Sequence, residues 1–175
     1  ENYEKWLEEF AALLNTPIKD HLLVLPPHVG EGTILAHTMS PHLSYAVMNF
    51  RLASDLEIYR EAEGAKGFSL SFNQMEVNKE VWLNADQSVA ADKGTLRNDI
   101  FLSDTREPLH IKIPAGSIVK RLMIFATHEL AARYLPVELL DKLEAFARAN
   151  SISDNPYFVS LPHRETLKEL FEMKE

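Results

Sequence analysis

Leu43-Ser-Tyr-Ala-Val-Met-Asn-Phe-Arg-Leu52 alternates along its length: Ala46, Met48, Phe50 and Leu52 fall on one side, Tyr45, Val47, Asn49 and Arg51 on the other. Successive side chains of a strand point to opposite faces, so this run reads as a strand with one apolar face and one mixed face. Gly32-Thr-Ile-Leu-Ala-His-Thr-Met39 before it and Lys66-Gly-Phe-Ser-Leu-Ser-Phe-Asn73 after it have a similar length. The same signal recurs, and strands are expected near 21–25, 33–39, 43–52, 55–60, 67–73, 77–83, 98–103, 108–113 and 118–126.

Pro26-Pro27, Ser40-Pro41, Ala62-Glu-Gly64, Asp92-Lys-Gly94 and Pro114-Ala-Gly116 punctuate these runs, as turn residues do. Parallel neighbours would need crossovers of helix length, and none lies between the strands, so pairing is expected to be antiparallel. Eight or nine short strands so connected predict a mainly β fold: a cupin-like antiparallel β-barrel, or jelly roll.

Helices bracket the strands. Tyr3, Trp6, Leu7, Phe10, Leu13 and Leu14 recur at three- and four-residue spacing, which predicts an amphipathic helix over 3–15, capped by Asn2 and ended by Thr16-Pro17. After the last strand, helical patterns are expected at 127–134, from Pro136 to Asn150 and from Pro162 to Met173. The chain therefore divides into an N-terminal helix plus barrel, 1–127, and a helical segment, 128–175.

Charge limits function. Eighteen basic against twenty-six acidic residues leave a formal net charge of −8, which would repel a phosphate backbone. No cysteine is present, so disulfides, thiolate nucleophiles and cysteine-held metals are excluded, in keeping with a reducing cytoplasm. Glu1-Asn-Tyr-Glu-Lys-Trp6 is too charged for a secretory signal, and the longest apolar stretch, Leu122 to Ala126, is far too short for a span; no membrane contact is expected. The chain opens without Met and ends inside a helical pattern, so trimming at both ends is expected.

No catalytic pattern stands out. The seven histidines include no His-x-His and no His-x-x-x-His, the spacings that bring two ring nitrogens onto one ion, so no metal and no cofactor are expected. The nearest pairs, His21 with His28 and His37 with His42, flank turns. Asp55/Glu57 and Glu61/Glu63 read as solvated carboxylates rather than an acid–base pair. There is no Gly-x-Ser-x-Gly elbow, and Gly30-Glu-Gly32 lacks a third glycine and a following helix, which leaves no phosphate cradle. The expectation is a binding protein, not an enzyme.

Candidate ligand contacts come from the strands. The mixed face of 43–52 offers Tyr45, Asn49 and Arg51 to a pocket that needs a few polar groups among apolar walls, although such residues more often face water. Phe68, Leu70 and Phe72, alternating with Ser69, Ser71 and Asn73, are expected to point inward together, with Trp82 in a similar strand. Ligand-binding candidates are thus Tyr45, Asn49, Arg51, Phe72 and Trp82. In the helical segment, Leu139, Leu143 and Phe146 form a stripe that either packs on the barrel or pairs with a second copy.

Gly30-Glu-Gly-Thr-Ile34, the run Leu43 to Leu56, Leu109-His-Ile-Lys-Ile-Pro-Ala-Gly-Ser-Ile-Val-Lys-Arg-Leu122, Leu135-Pro136 and Phe158-Val-Ser-Leu-Pro162 together resemble the N-terminal sensing half of AraC-type transcriptional regulators, especially the branch with siderophore-responsive activators. The resemblance implies a cupin-like barrel that senses a small-molecule effector, siderophore-like by the branch, and helices that support a homodimer. It also implies a C-terminal pair of helix-turn-helix motifs, which is missing here and is expected beyond Glu175; DNA would be contacted only through it. The sequence departs from metal-dependent cupins in lacking their two-histidine-plus-glutamate strand pattern. A cupin-type isomerase or dioxygenase is the alternative reading.

Overall fold

The computed structural model describes residues 2–60, 67–77, 81–83, 88–89, 95–105, 109–142 and 145. Two antiparallel sheets form a jelly-roll sandwich. The larger has seven strands in the order β1 (Ile18–Lys19), β2 (Leu22–Val24), β3 (Gly30–Ser40), β4 (Leu43–Leu52), β11 (Ile118–Thr127), β6 (Gly67–Val77) and β9 (Thr95–Asp104). The smaller orders β5 (Leu56–Arg60), β10 (Leu109–Ile113), β7 (Val81–Leu83) and β8 (Ser88–Val89). Every expected strand is present, and β1 and β8, two residues each, are additional. The run expected at 77–83 is split, its first residue closing β6 and its last three forming β7.

The strand from which the sequence reading starts, β4, behaves as its alternation predicts. Ala46, Met48, Phe50 and Leu52 are buried, whereas Val47, Asn49 and Arg51 are exposed. Its neighbours continue the inner face in register: Ile34 and Ala36 on β3 lie opposite Met48 and Ala46, and Val119 and Phe125 on β11 lie opposite Phe50 and Ser44. Ile111 and Ile113 of β10, beside Ile58 and Leu56 of β5, supply the facing layer. Each buried aliphatic side chain of this kind contributes roughly 1.5–3 kcal/mol of hydrophobic stabilisation.

Gly32 shows how tightly β3 and β4 approach. It has φ +130, and a Cβ there would lie 2.2 Å from the Asn49 carbonyl oxygen. Only glycine meets both conditions without strain.

The first helix, α1 (Tyr3–Leu13), starts at Asn2, whose Oδ1 accepts the N–H groups of Glu4 at 3.0 Å and Lys5 at 3.1 Å. It ends at Leu14, and Asn15 takes the left-handed conformation, φ 49, as asparagine does after helix ends. Tyr3, Leu7 and Ala11 enter the main core with Leu23, Ile34 and Ala46. The apolar face of α1 therefore covers the sandwich.

A second helix, α2 (His128–Tyr134), is capped by Thr127 Oγ1, which accepts the Leu130 N–H at 3.2 Å. Helix resumes over 137–142 after Pro136. Leu140 is buried against Phe68, with Leu70, Ala131, Leu135 and Leu139 around them. Leu139 thus packs on the sheet; Leu143 and Phe146 lie outside the described residues. No helix among the described residues is long and apolar enough to cross a membrane.

Candidate functional site

The alternation in β6 is real, but its facing is the reverse of the expectation. Ser69, Ser71, Asn73 and Met75 are buried on the inner face, while Phe72 is 40% exposed. Register explains the reversal: Met75 pairs with Val119, Asn73 with Arg121 and Ser69 with Phe125, so the inner row of β11 fixes which residues of β6 turn inward. Phe68 and Leu70 are covered from outside by the helices that follow β11. An apolar row therefore forms on the outer face because a second layer lies there.

The result is a polar row within the apolar core. Arg121, in the central strand β11, is 8% exposed and sits on one rung between Met48 of β4 and Asn73 of β6. Its Nη2 lies 3.7 Å from Met75 Sδ, a weak acceptor. Its Nε and the Oδ1 of Asn73 are both buried without a hydrogen-bond partner. Nearby, Tyr3 and Ser69 share a hydrogen bond of 2.6 Å between their hydroxyl groups, and the Tyr3 N–H donates to Ser44 Oγ at 3.5 Å. No carboxylate among the described residues pairs with Arg121. Burial pulls its pKa down to about 10, with Tyr3 pulling weakly the other way.

Chemically, a buried guanidinium of this kind is suited to pairing with an anion. A guanidinium offers five donors in a planar fork that matches a carboxylate or phosphate. Removed from water without a counter-ion it costs several kcal/mol. Donation of Nε to Asn73 would satisfy an N–H but leave the charge uncompensated, since an amide carries none.

The residues chosen from sequence fall elsewhere. Asn49 and Arg51 are exposed and Tyr45 is half-buried, all on the outward face of β4, where Tyr45 meets the His37 ring edge-on at 6.0 Å. Phe72 shares the outer rung of Leu122 and Val47, so its expected inward position is corrected. Trp82 lies opposite Lys112 in register on β7, and its side chain is outside the described part. Arg121 was missed because it stands beside Lys120 in Ile118 to Thr127, and two adjacent charges read as solvent-facing until the register shows that alternation turns one of them inward.

A second cluster stands at the edge of the large sheet. β1 and β2 are joined by Asp20 and His21 with φ 52 and 64, the two-residue type I′ hairpin turn. The turn brings His21 Nδ1 to 2.6 Å from Glu4 Oε1 and its ring to 4.6 Å from the His37 ring. Glu4 Oε2 accepts the Thr38 N–H at 3.3 Å, on the β3 edge that β2 leaves uncovered. Desolvation raises the Glu4 pKa, but hydrogen bonds from Thr38 and His21 and the attraction of the His21 ring outweigh it and hold the carboxyl below its ordinary value. Of the histidine pairs considered in the sequence, neither forms; His21 meets His37 instead.

No known family profile matches the chain, and no curated protein does. Among solved structures it is similar to an RmlC-like cupin protein from Desulfovibrio desulfuricans (15% identity, 53% of this chain and 79% of that one, TM-score 0.35). It is also similar to KdgF from a Halomonas species (10%, 63% and 84%, 0.36) and to an HTH_3 family transcriptional regulator from Vibrio cholerae (11%, 71% and 64%, 0.36). At such scores the likeness carries no argument about activity or ligand. The assignment of a cupin-like jelly roll rests on the strand order and register described above.

Proposed function

We propose that this chain is the effector-sensing and dimerisation region of an AraC-type transcriptional regulator, a non-catalytic jelly roll whose interior takes up an anionic small molecule. The observation that carries the reading is the buried Arg121 guanidinium with no counter-charge among the described residues. A charge kept at such cost is compensated when an anion binds, and the polar row Ser69, Ser71 and Asn73 supplies hydrogen bonds around it. Tyr3 of α1 reaches Ser69 in this row, so occupancy bears on how α1 sits against the sheet. An effector shifts such an arrangement only by its different affinity for two states. In this reading the protein acts in the cytoplasm as a homodimer, and DNA is read by a helix-turn-helix module rather than by the acidic surface of this chain.

The test is calorimetric titration with small carboxylates and with hydroxamate and catecholate chelates, beside neutral analogues of equal size. One anion per chain is expected to bind. Arg121→Gln should weaken it about 10- to 100-fold, since a charge-assisted hydrogen bond is worth roughly 1.5–3 kcal/mol. Equal binding of the neutral analogue, or turnover of a bound compound, overturns the proposal.

A further inference from the structure

We infer that Glu4, His21 and His37 form a site for a divalent transition-metal cation of the zinc type. The three side chains come from α1, the β1–β2 turn and β3, and one ligand atom from each lies within 4.8 Å of the others. Two imidazoles and a carboxylate are a donor set suited to zinc and its neighbours. Zinc bonds of about 2.0–2.1 Å hold adjacent donors roughly 3.3 Å apart in a tetrahedron, a spacing between the 2.6 Å of the Glu4–His21 pair and the 4.8 Å outer limit of the cluster.

Three features distinguish this cluster from an ordinary surface ion pair. His37 Nδ1 is buried and has no hydrogen-bond partner, so a ring nitrogen of one of the three candidate ligands is left unsatisfied by the protein. Glu4 is oriented by its other oxygen: Oε2 takes the Thr38 N–H while Oε1 faces His21, the arrangement by which a ligating carboxylate is held in place. His21 occupies the left-handed region, φ 64, which few non-glycine residues adopt, and this conformation is part of what sets its ring beside His37.

His37 and its cross-strand neighbour Tyr45 belong to the outward-facing row, so the site is separate from the Arg121 interior. Its ligands tie α1 to the hairpin and to the free edge of β3. A cation there fastens the helix that closes the sandwich.

Metal-stripped protein is titrated with Zn²⁺ by calorimetry and with Co²⁺ by visible absorption, which reports coordination number and donor type. One equivalent is expected, with a four-coordinate cobalt spectrum and a rise in melting temperature that chelator reverses. Glu4→Gln, which retains an acceptor for Thr38, and His21→Gln, at a half-exposed turn, should each lower affinity at least about 10-fold and abolish the metal-dependent rise in melting temperature. A failure to bind one equivalent, or binding that neither variant weakens, overturns the inference. Arg121→Gln, which tests the interior, should leave the metal isotherm unchanged.

Discussion

At Arg121 recognition and stability oppose each other. Replacing a buried unpaired charge with an apolar side chain of similar length is expected to stabilise the ligand-free protein, so Arg121→Met should raise the urea midpoint by the equivalent of about 1–3 kcal/mol while losing anion binding. The pH dependence has a definite sign. The folded-state pKa of about 10 lies below that of an unfolded arginine, so the penalty is present in full below pH 10 and fades as pH rises above it, where the unfolded chain holds the extra proton. The stability advantage of Arg121→Met over the parent should therefore shrink above about pH 10, measured as the difference between their urea midpoints. Gly32 sits at the opposite extreme, with conformation rather than charge deciding. Gly32→Ala forces a Cβ against the Asn49 carbonyl at a positive φ and should cost at least about 1–3 kcal/mol in chemical denaturation.

Among elements, β4 and β6 show what alternation can and cannot decide. In both, the sequence separates two faces correctly. In β4 the apolar face is the inner one, because its other face carries Asn49 and Arg51 into water. In β6 the inner face lies in the sandwich while Phe68 and Leu70 of the outer face are covered by α2 and the 137–142 helix, so hydrophobicity alone points to the wrong side. Leu140→Ala should open the outer cluster around Phe68 and cost about 2–5 kcal/mol in thermal or urea unfolding. Thr16-Pro17 placed the end of α1 two residues late, past Leu13, but its start was legible because Asn2 is a capping residue whose Oδ1 accepts the first N–H groups. The Glu4–His21–His37 cluster was not, since Ile18-Lys19 is too short to show a strand period and Asp20-His21 lacks the glycine that marks a type I′ turn. The pairing of β2 with β3, and the His21 carbonyl that accepts the Ala36 N–H at 3.1 Å, bring His21 to β3.

The whole molecule carries a net charge of −8 around an interior cation. An anionic ligand is attracted locally by Arg121 but repelled at long range by the surface, and salt screens the second effect more than the first. Its association rate should rise between low and physiological ionic strength, measured by stopped-flow, whereas most steered complexes slow down. A rate that falls with salt would place the entrance on a basic part of the surface.

The topology also orders events during synthesis. β11 lies between β4 and β6, yet it leaves the ribosome after both. Until Thr127 clears the exit tunnel, the β3–β4 hairpin and the β6–β9 pair have no strand to join them, and the inner side of each stays open. A nascent chain stopped short of Ile118 thus presents two unsealed edges to its surroundings, and a single late segment closes the sheet and brings the buried cation inside with it.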